Sequence, residues 1–312
     1  FSKANVVDDM TSLHCDINQG EKVKEIFKQY QPEVIFHLAA QSLVRYSYAN
    51  PVETYQTNVM GSLNILEAVR SVDSVRSVIM VTSDKCYENR EWTWGYREND
   101  SMGGHDPYSS SKGCAELLVT SYQRSYFSLE DVETHKIGIA SVRAGNVIGG
   151  GDWGEDRLVP DIIKSLISGD KLLIRNPHAL RPWQHVLEPL SGYLLLAEKM
   201  FAEPSLFSGA WNFGPHDQDI KPVSWLVDKL LQQWGGESDW DYDQQQKPHE
   251  AVNLKLDCSK AHQDLGWWPR WSLSTTLEKI TEWHRADVDA RDLKQLCHEQ
   301  ISTFENTSAQ DC

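Results

Sequence analysis

The stretch "VRSVIMVTSDKCYEN" (residues 75–89) decides the fold. Its apolar run through Val78, Ile79, Met80 and Val81 does not alternate between faces, the pattern of a strand covered on both sides. The same texture recurs in "EVIFHLAA" (33–40) and in "HKIGIASVRAGNVIG" (135–149), which reads as a strand and its exit loop. Between these runs lie two helical patterns, "NPVETYQTNVMGSLNILEAVRS" (50–71) and "DPYSSSKGCAELLVTSYQRSYF" (106–127), and "EKVKEIFKQY" (21–30) precedes them. Buried strands alternating with helices longer than ten residues mean parallel pairing, an α/β fold with a doubly wound, Rossmann-like sheet. Such sheets bind ligands at the carboxyl ends of their strands. Thr82, Ser83, Asp84 and Lys85 stand at one such end.

Beyond residue 148 the elements shorten and Gly, Asp, Pro and Trp become frequent, as in "GGGDWGEDRLVP" and "IRNPHALRPWQHV". The reading is a first domain over 1–147 and a smaller α+β substrate lobe over 148–312. The helical "VLEPLSGYLLLAEKMFAE" places 185–215 back against the first domain. The tail beyond Arg285 is polar and is expected to fray after residue 300.

Composition excludes several function classes. A net charge of −15 with no offsetting Lys/Arg cluster argues against a nucleic-acid binder. No apolar run approaches the ~20 residues needed to span a bilayer, so no membrane partner is expected. The six cysteines show no CxxC and no His at metal-ligand spacing. They read as reduced thiols of a cytoplasmic protein, with no metal site.

Tyr108 and Lys112 form Y-x-x-x-K at the start of a helix opened by Asp106-Pro107, so both side chains share one face. An ammonium beside a phenol favours phenolate, which makes a group of ordinary pKa about 10 usable as a base. The spacing alone is weak, since a chain with 11 Tyr makes about 0.6 such matches by accident. Its context is stronger. A strand-end hydroxyl pair, Thr82 and Ser83, followed by a helical Tyr and Lys is the constellation for taking a proton from an alcohol while hydride leaves its carbon.

The segments "HLAAQSLVRYSYANPVETYQTNVMGSLNILEA", "VTSDKCY" and "YSSSK", in this order and spacing, resemble the extended short-chain dehydrogenase/reductases. The Asp after the strand hydroxyls resembles the sugar-nucleotide 4,6-dehydratases. "RAGNVIGGGDW" and "RPWQHVLEPLSGY" are similar to the branch of that family acting on CDP-glucose, as is Lys85 where most relatives carry Glu. The resemblance covers nearly the whole chain. It implies that Tyr108 takes the 4-hydroxyl proton with Ser83 on the same oxygen, that the hydride passes to NAD, and that Asp84 and Lys85 are acid and base for eliminating water across C5 and C6. As a base Lys85 must be neutral, and a shift of about 3 units from its ordinary pKa of about 10.4 costs about 4 kcal/mol. A substrate-positioning role and a plain surface Lys remain as readings of that residue.

The resemblance also implies a cofactor site in which Asp16 and Ile17 lie near the adenine, Ala39, Ala40, Gln41 and Thr82 at strand ends, and Tyr108 and Lys112 at the ribose and nicotinamide. For the diphosphate, Asn146, Arg157, Arg175 and Arg181 are candidates, since guanidinium forks suit phosphate oxygens. Arg181 leads among them, and His249 resembles a substrate-proximal position. "GGGDWG" (149–154) formally matches G-x-G-x-x-G, but it follows the Tyr/Lys helix instead of opening the fold, and is assigned to the substrate lobe. No other dinucleotide fingerprint exists, so the first βαβ unit is expected to lie upstream of Phe1, and the chain as it stands to bind NAD poorly. The resemblance further implies a homodimer or homotetramer. The functional expectation is dehydration of a CDP-hexose; a nucleotide-sugar epimerase or a catalytically silent nucleotide-sugar binder are the alternatives.

Overall fold

The structure, a computed structural model, describes residues 2–235, 240–242 and 254–308. The candidate His249 lies outside them. Four parallel strands form the main sheet in the order Val34–His37, Ser77–Val81, Gly138–Ala144 and Gly209–Phe213. The central strand Ser77–Val81 pairs Ser77 with Val34 on one side and with Gly138 on the other.

The doubly apolar sequence of this strand follows from its two coverings. Val78 and Met80 enter one core with Leu66, Val69, Val119 and Ile139, whereas Ile79 enters another with Ala140, Val142, Leu196 and Met200. The period-two alternation of side chains sends neighbours to opposite faces, and both faces are dry. On the first face lie the helices Gly20–Tyr30, Gly61–Val69 and Pro107–Ser125. The helix Leu187–Ala202 packs on the second through Tyr193, Leu196, Ala197 and Met200, joined by Ala261, Leu265 and Trp267. The pattern over 50–71 folds as Pro51–Tyr55, a π-helical turn Gln56–Met60 and Gly61–Val69.

A third core gathers Ile162, Ile163, Leu226, Val227, Leu230, Leu277 and Ile280 from the helices Leu158–Ser168, Val223–Trp234 and Leu273–Val288. Three two-stranded sheets surround it: Leu172–Ile174 with Trp240–Tyr242, Val147–Ile148 with Gln184–His185, and Leu180–Pro182 with Ile220–Pro222.

The described part of the tail does not fray after residue 300. It is the helix Leu293–Asn306, which buries Leu293, Leu296, Gln300 and Phe304. Those positions recur at three- and four-residue intervals, so a single apolar stripe suffices to dock a mostly polar segment. Phe304 meets Trp271 edge to face, with ring centroids 5.1 Å apart. Among the described residues no helix is long and apolar enough to cross a membrane.

Candidate active site

The site forms where the Ser77–Val81 strand ends against the first turns of the Pro107–Ser125 helix. Thr82 keeps the sheet hydrogen bond to Val142 O (2.9 Å). Ser83 then caps a short 3-10 turn, Asp84–Cys86, its Oγ accepting from Lys85 N at 3.2 Å and donating to Asp84 Oδ1 at 3.0 Å. Asp84 is buried while Lys85 is half-buried. The helix starts where Asp106 accepts from Ser109 N (2.9 Å), with Pro107 in the first turn where its missing N–H is not needed.

Tyr108, Lys112 and Glu116 follow at intervals of four, one above another on the face toward the sheet, and all three are buried. Lys112 Nζ donates to Val81 O at 3.1 Å. Glu116 accepts from Thr82 Oγ1, from Ser141 Oγ (2.7 Å), and from Arg143 through Nε (2.9 Å) and Nη2 (2.6 Å). Arg143 goes on to Tyr87 OH (2.6 Å), which donates to Asn212 Oδ1 (2.8 Å). A buried polar network therefore ties the helix to the two central strands directly behind the reacting groups.

The next strand end is fastened to the same helix. Gln41 N donates to Asn58 Oδ1 (2.8 Å), and Asn58 Nδ2 reaches both Gln41 O and Ser111 Oγ at 2.9 Å. Gln41 Nε2 adds a bond to Thr54 Oγ1 (2.8 Å), and Tyr108 N donates to Ser47 Oγ (3.2 Å). Ala39 is exposed and Ala40 half-buried beside Gln41. His37, at the end of its strand, is a buried structural histidine paired with Ser62 Oγ at 3.0 Å, and burial pushes its pKa down to about 4.

Electrostatics separate the groups. Burial pushes the Tyr108 phenol up to about 12, hydrogen bonding with Ser83 opposing it and the Asp84 charge adding to it. Lys112 Nζ donates to the Val81 carbonyl, and burial brings its own pKa down to about 8 against the pull of Glu116. Burial also raises the Asp84 carboxyl, opposed by Lys85, Ser83 and Arg181, and its Oδ2 has no hydrogen-bond partner. Burial alone would raise Glu116 too, but Arg143, Thr82 and Ser141 hold it below the usual carboxylate range. The cluster thus holds an un-ionised-leaning acid, a protonated phenol and a fixed carboxylate within one helix face and one strand end.

The substrate-lobe candidates divide. Arg181 acts electrostatically on Asp84 and Arg157 on Tyr108, which places both at the cluster. Arg157 also bonds Ser42 Oγ (2.7 Å) and Asp152 (3.0 Å). Arg175 is engaged by Asp156 (3.2 Å) and Asp161 (3.5 Å). Asn146 sits at φ 43 with its carbonyl accepting from Gln184 N (3.3 Å). Asp16 is exposed and accepts from Asn18 N (2.9 Å), while the Ile17 carbonyl is held by Asn64 Nδ2 (2.8 Å). The glycines of "GGGDWG" serve packing: a Cβ on Gly150 would stand 2.2 Å from Trp283 Cγ. Glu116, Arg143, Asn58 and Gln184 escaped the sequence reading. Glu116 alone carried a signal, four residues beyond Lys112.

A parallel sheet presenting a strand-end serine to a helical Tyr-x-x-x-Lys pair defines the short-chain dehydrogenase/reductase class of enzyme. Within it, the chain belongs to the GDP-mannose 4,6 dehydratase family, which matches residues 2–280. It is 51% identical over 304 residues, 97% of its length and 85% of the relative's, to a CDP-glucose 4,6-dehydratase of Salmonella typhimurium. To a dTDP-glucose 4,6-dehydratase of Haemophilus influenzae it is 24% identical over 86% of this chain and 80% of that one. Among solved structures, a UDP-glucose 4-epimerase of Thermotoga maritima aligns with TM-score 0.78 at 23% identity, covering 92% of this chain and 90% of that chain. A dTDP-glucose 4,6-dehydratase of Streptomyces venezuelae, solved with NAD, aligns with TM-score 0.75 at 22% identity over 90% and 81%. At such identities the structural likeness speaks for the fold.

Proposed function

We propose that this enzyme is a hydro-lyase that converts CDP-D-glucose to CDP-4-dehydro-6-deoxy-D-glucose, with NAD as its resident cofactor. One observation carries the reading from the chain's own residues: Asp84 is a buried carboxyl with a raised pKa and an unpartnered Oδ2, beside the Ser83 and Tyr108 hydroxyls. Oxidising a secondary alcohol needs only Ser83, Tyr108 and Lys112. A carboxyl whose pKa burial raises beside them is suited to give a proton to a leaving hydroxyl, which departs as water once it receives one.

The residues present fit the ribose and nicotinamide part of NAD. Beyond His37 the strand end opens onto exposed Leu38 and Ala39, and buried Lys112 stands ready on the neighbouring helix. Ala39, Ala40, Gln41, Thr82, Tyr108 and Lys112 would hold it, with Asp16 and Ile17 toward the adenine. When bound, NAD would supply the acceptor and later the donor of the hydride, and its oxidised ring would add positive charge near the buried phenol. Tyr108, ionised beside that positive charge, would accept the 4-hydroxyl proton as phenolate, Ser83 would orient that oxygen, and Lys112 keeps its ammonium at Val81 O beside the ribose position. The C4 ketone acidifies C5–H, Lys85 removes that proton, and Asp84 protonates the departing 6-hydroxyl. Hydride at C6 and a proton at C5 would saturate the C5–C6 double bond left by elimination, with no net redox change.

Arg181, Arg157, Arg175 and Asn146 are the candidates for the diphosphate in this reading. All five described cysteines are free, which supports a cytoplasmic location. The reading includes a homodimer or homotetramer, for which the helices Pro51–Tyr55, Gly61–Val69 and Pro107–Ser125 offer an apolar face. There an apolar cavity of about 430 Å³ is lined by Pro51, Val52, Tyr55, Val59 and Met60, while Val52 is 69% and Leu117 61% exposed. The test of function is incubation with CDP-glucose and NAD in deuterated water. Lys85→Met is expected to lose deuterium wash-in at C5, and full wash-in in that variant would remove Lys85 from the base role. Product epimerised at C4 with oxygen retained at C6 would favour an epimerase.

A further inference from the structure

Gly145 lies between the central strand Gly138–Ala144 and Asn146, and no step above uses it. The ideal Cβ position at residue 145 is already filled: Asp84 Oδ2 lies 2.1 Å from it, Asp84 Cγ 2.7 Å and Asp84 Cβ 3.3 Å, and these are its three nearest atoms. A Cβ contact under 3.0 Å does not occur in real proteins. Gly145 is not among the residues with positive φ, so alanine would meet no backbone strain there, only the carboxyl. The acid therefore occupies the space that any other residue would take for its own side chain.

The backbone at 145 is fastened on both sides, so the carboxyl is what must give way. Ala144 is in register with Phe213 in the sheet. The Gly145 carbonyl accepts from Gln184 Nε2 (3.2 Å), which also donates to Phe213 O (2.9 Å), and Gln184 is buried. On the far side Asn146 O accepts from Gln184 N (3.3 Å). Asp84 has less holding it: Oδ1 takes the Ser83 Oγ bond at 3.0 Å and Oδ2 takes none. Turning the carboxyl away from a new methyl group breaks the Ser83 bond and moves the acidic oxygen off its line.

We propose that Gly145 is a positioning residue for the elimination step: its missing side chain, on a backbone clamped by Gln184, gives the Asp84 carboxyl its place. The inference rests on the reading of Asp84 as the acid. Misplacing a reacting group by about 1 Å lowers rates by about 10²-fold. That loss should fall on departure of the 6-hydroxyl and spare the earlier oxidation, which uses Ser83, Tyr108 and Lys112.

The experiment compares Gly145→Ala, Asp84→Ala and the double variant, each incubated with CDP-glucose and NAD. It follows NADH absorbance in a single turnover for the oxidation, and the 4-keto-6-deoxy product for the whole reaction. The expected result for Gly145→Ala is NADH formation near the wild-type rate with product formation down about 10²-fold, and no further loss when Gly145→Ala is added to Asp84→Ala. Wild-type product formation in Gly145→Ala, with Asp84→Ala inactive, overturns this inference alone. Product formation retained by Asp84→Ala removes both the acid assignment and the inference. If Gly145→Ala fails to fold, the double variant must fold, because only the 3.3 Å contact to Cβ remains; an unfolded double variant overturns the proposal.

Discussion

Replacing Arg143 by methionine tests the polar network behind the site. Arg143 is 3% and Glu116 2% exposed, and the guanidinium makes two bonds to the carboxylate, at 2.6 and 2.9 Å, plus one to Tyr87 OH at 2.6 Å and one to Glu98 O at 3.0 Å. Methionine fills similar volume but leaves the Glu116 charge with only the Thr82 and Ser141 hydroxyls. Breaking one side of a buried ion pair costs about 3–5 kcal/mol, a large share of the ~5–15 kcal/mol that holds a domain folded. The assay is urea unfolding, reading the midpoint at unchanged slope. Removing both charges with Arg143→Met and Glu116→Leu should cost less than the single change, because no unpaired charge is left buried. The Glu116 pKa is depressed in the folded enzyme, so its contribution is present above the unfolded pKa and is lost as pH falls through the folded one. The gap between wild type and Arg143→Met therefore narrows in acid. A loss below about 1 kcal/mol at neutral pH, the value of an exposed pair, would refute the account of this network.

Other outcomes follow from the same chemistry. Glu188 is fully buried and accepts from Trp271 N (2.7 Å) and Arg270 N (3.0 Å); burial raises its pKa from 4.5 to about 7. Its share of stability, about 3 kcal/mol, is present below pH ~4.5 and is lost as pH rises through about 7, so Glu188→Gln should flatten the wild-type decline across that window in thermal unfolding. Lys112 has its pKa lowered to about 8, so kcat/KM should fall as pH rises through about 8, and Lys112→Arg should remove that limb; an unchanged limb would detach it from this residue. Gly150→Ala, whose Cβ would meet Trp283 at 2.2 Å, should destabilise by about 1–3 kcal/mol in the same unfolding assay.

The sheet was legible because three strands are apolar on both faces, and the catalytic helix because Asp106-Pro107 is an unambiguous start. Ser83, Tyr108 and Lys112 could be read from spacing joined to strand-end position. The network was not legible, because Glu116 and Arg143 lie 27 residues apart and a charged pair looks the same in sequence whether buried or solvated. Lys112 was legible on the Tyr108 face from its spacing, but its bond to the Val81 carbonyl was not, because that carbonyl belongs to a strand end 31 residues earlier. The docked tail escaped because four well-spaced residues are enough to bury it among polar neighbours.

The central claim is an internal oxidation and reduction on one sugar. It is tested most directly with CDP-glucose carrying deuterium at C4, incubated with the enzyme and unlabelled NAD. The account predicts a 4-keto product with that deuterium at C6. Deuterium returned to C4 of a fully hydroxylated sugar, or remaining on released NADH, would contradict it.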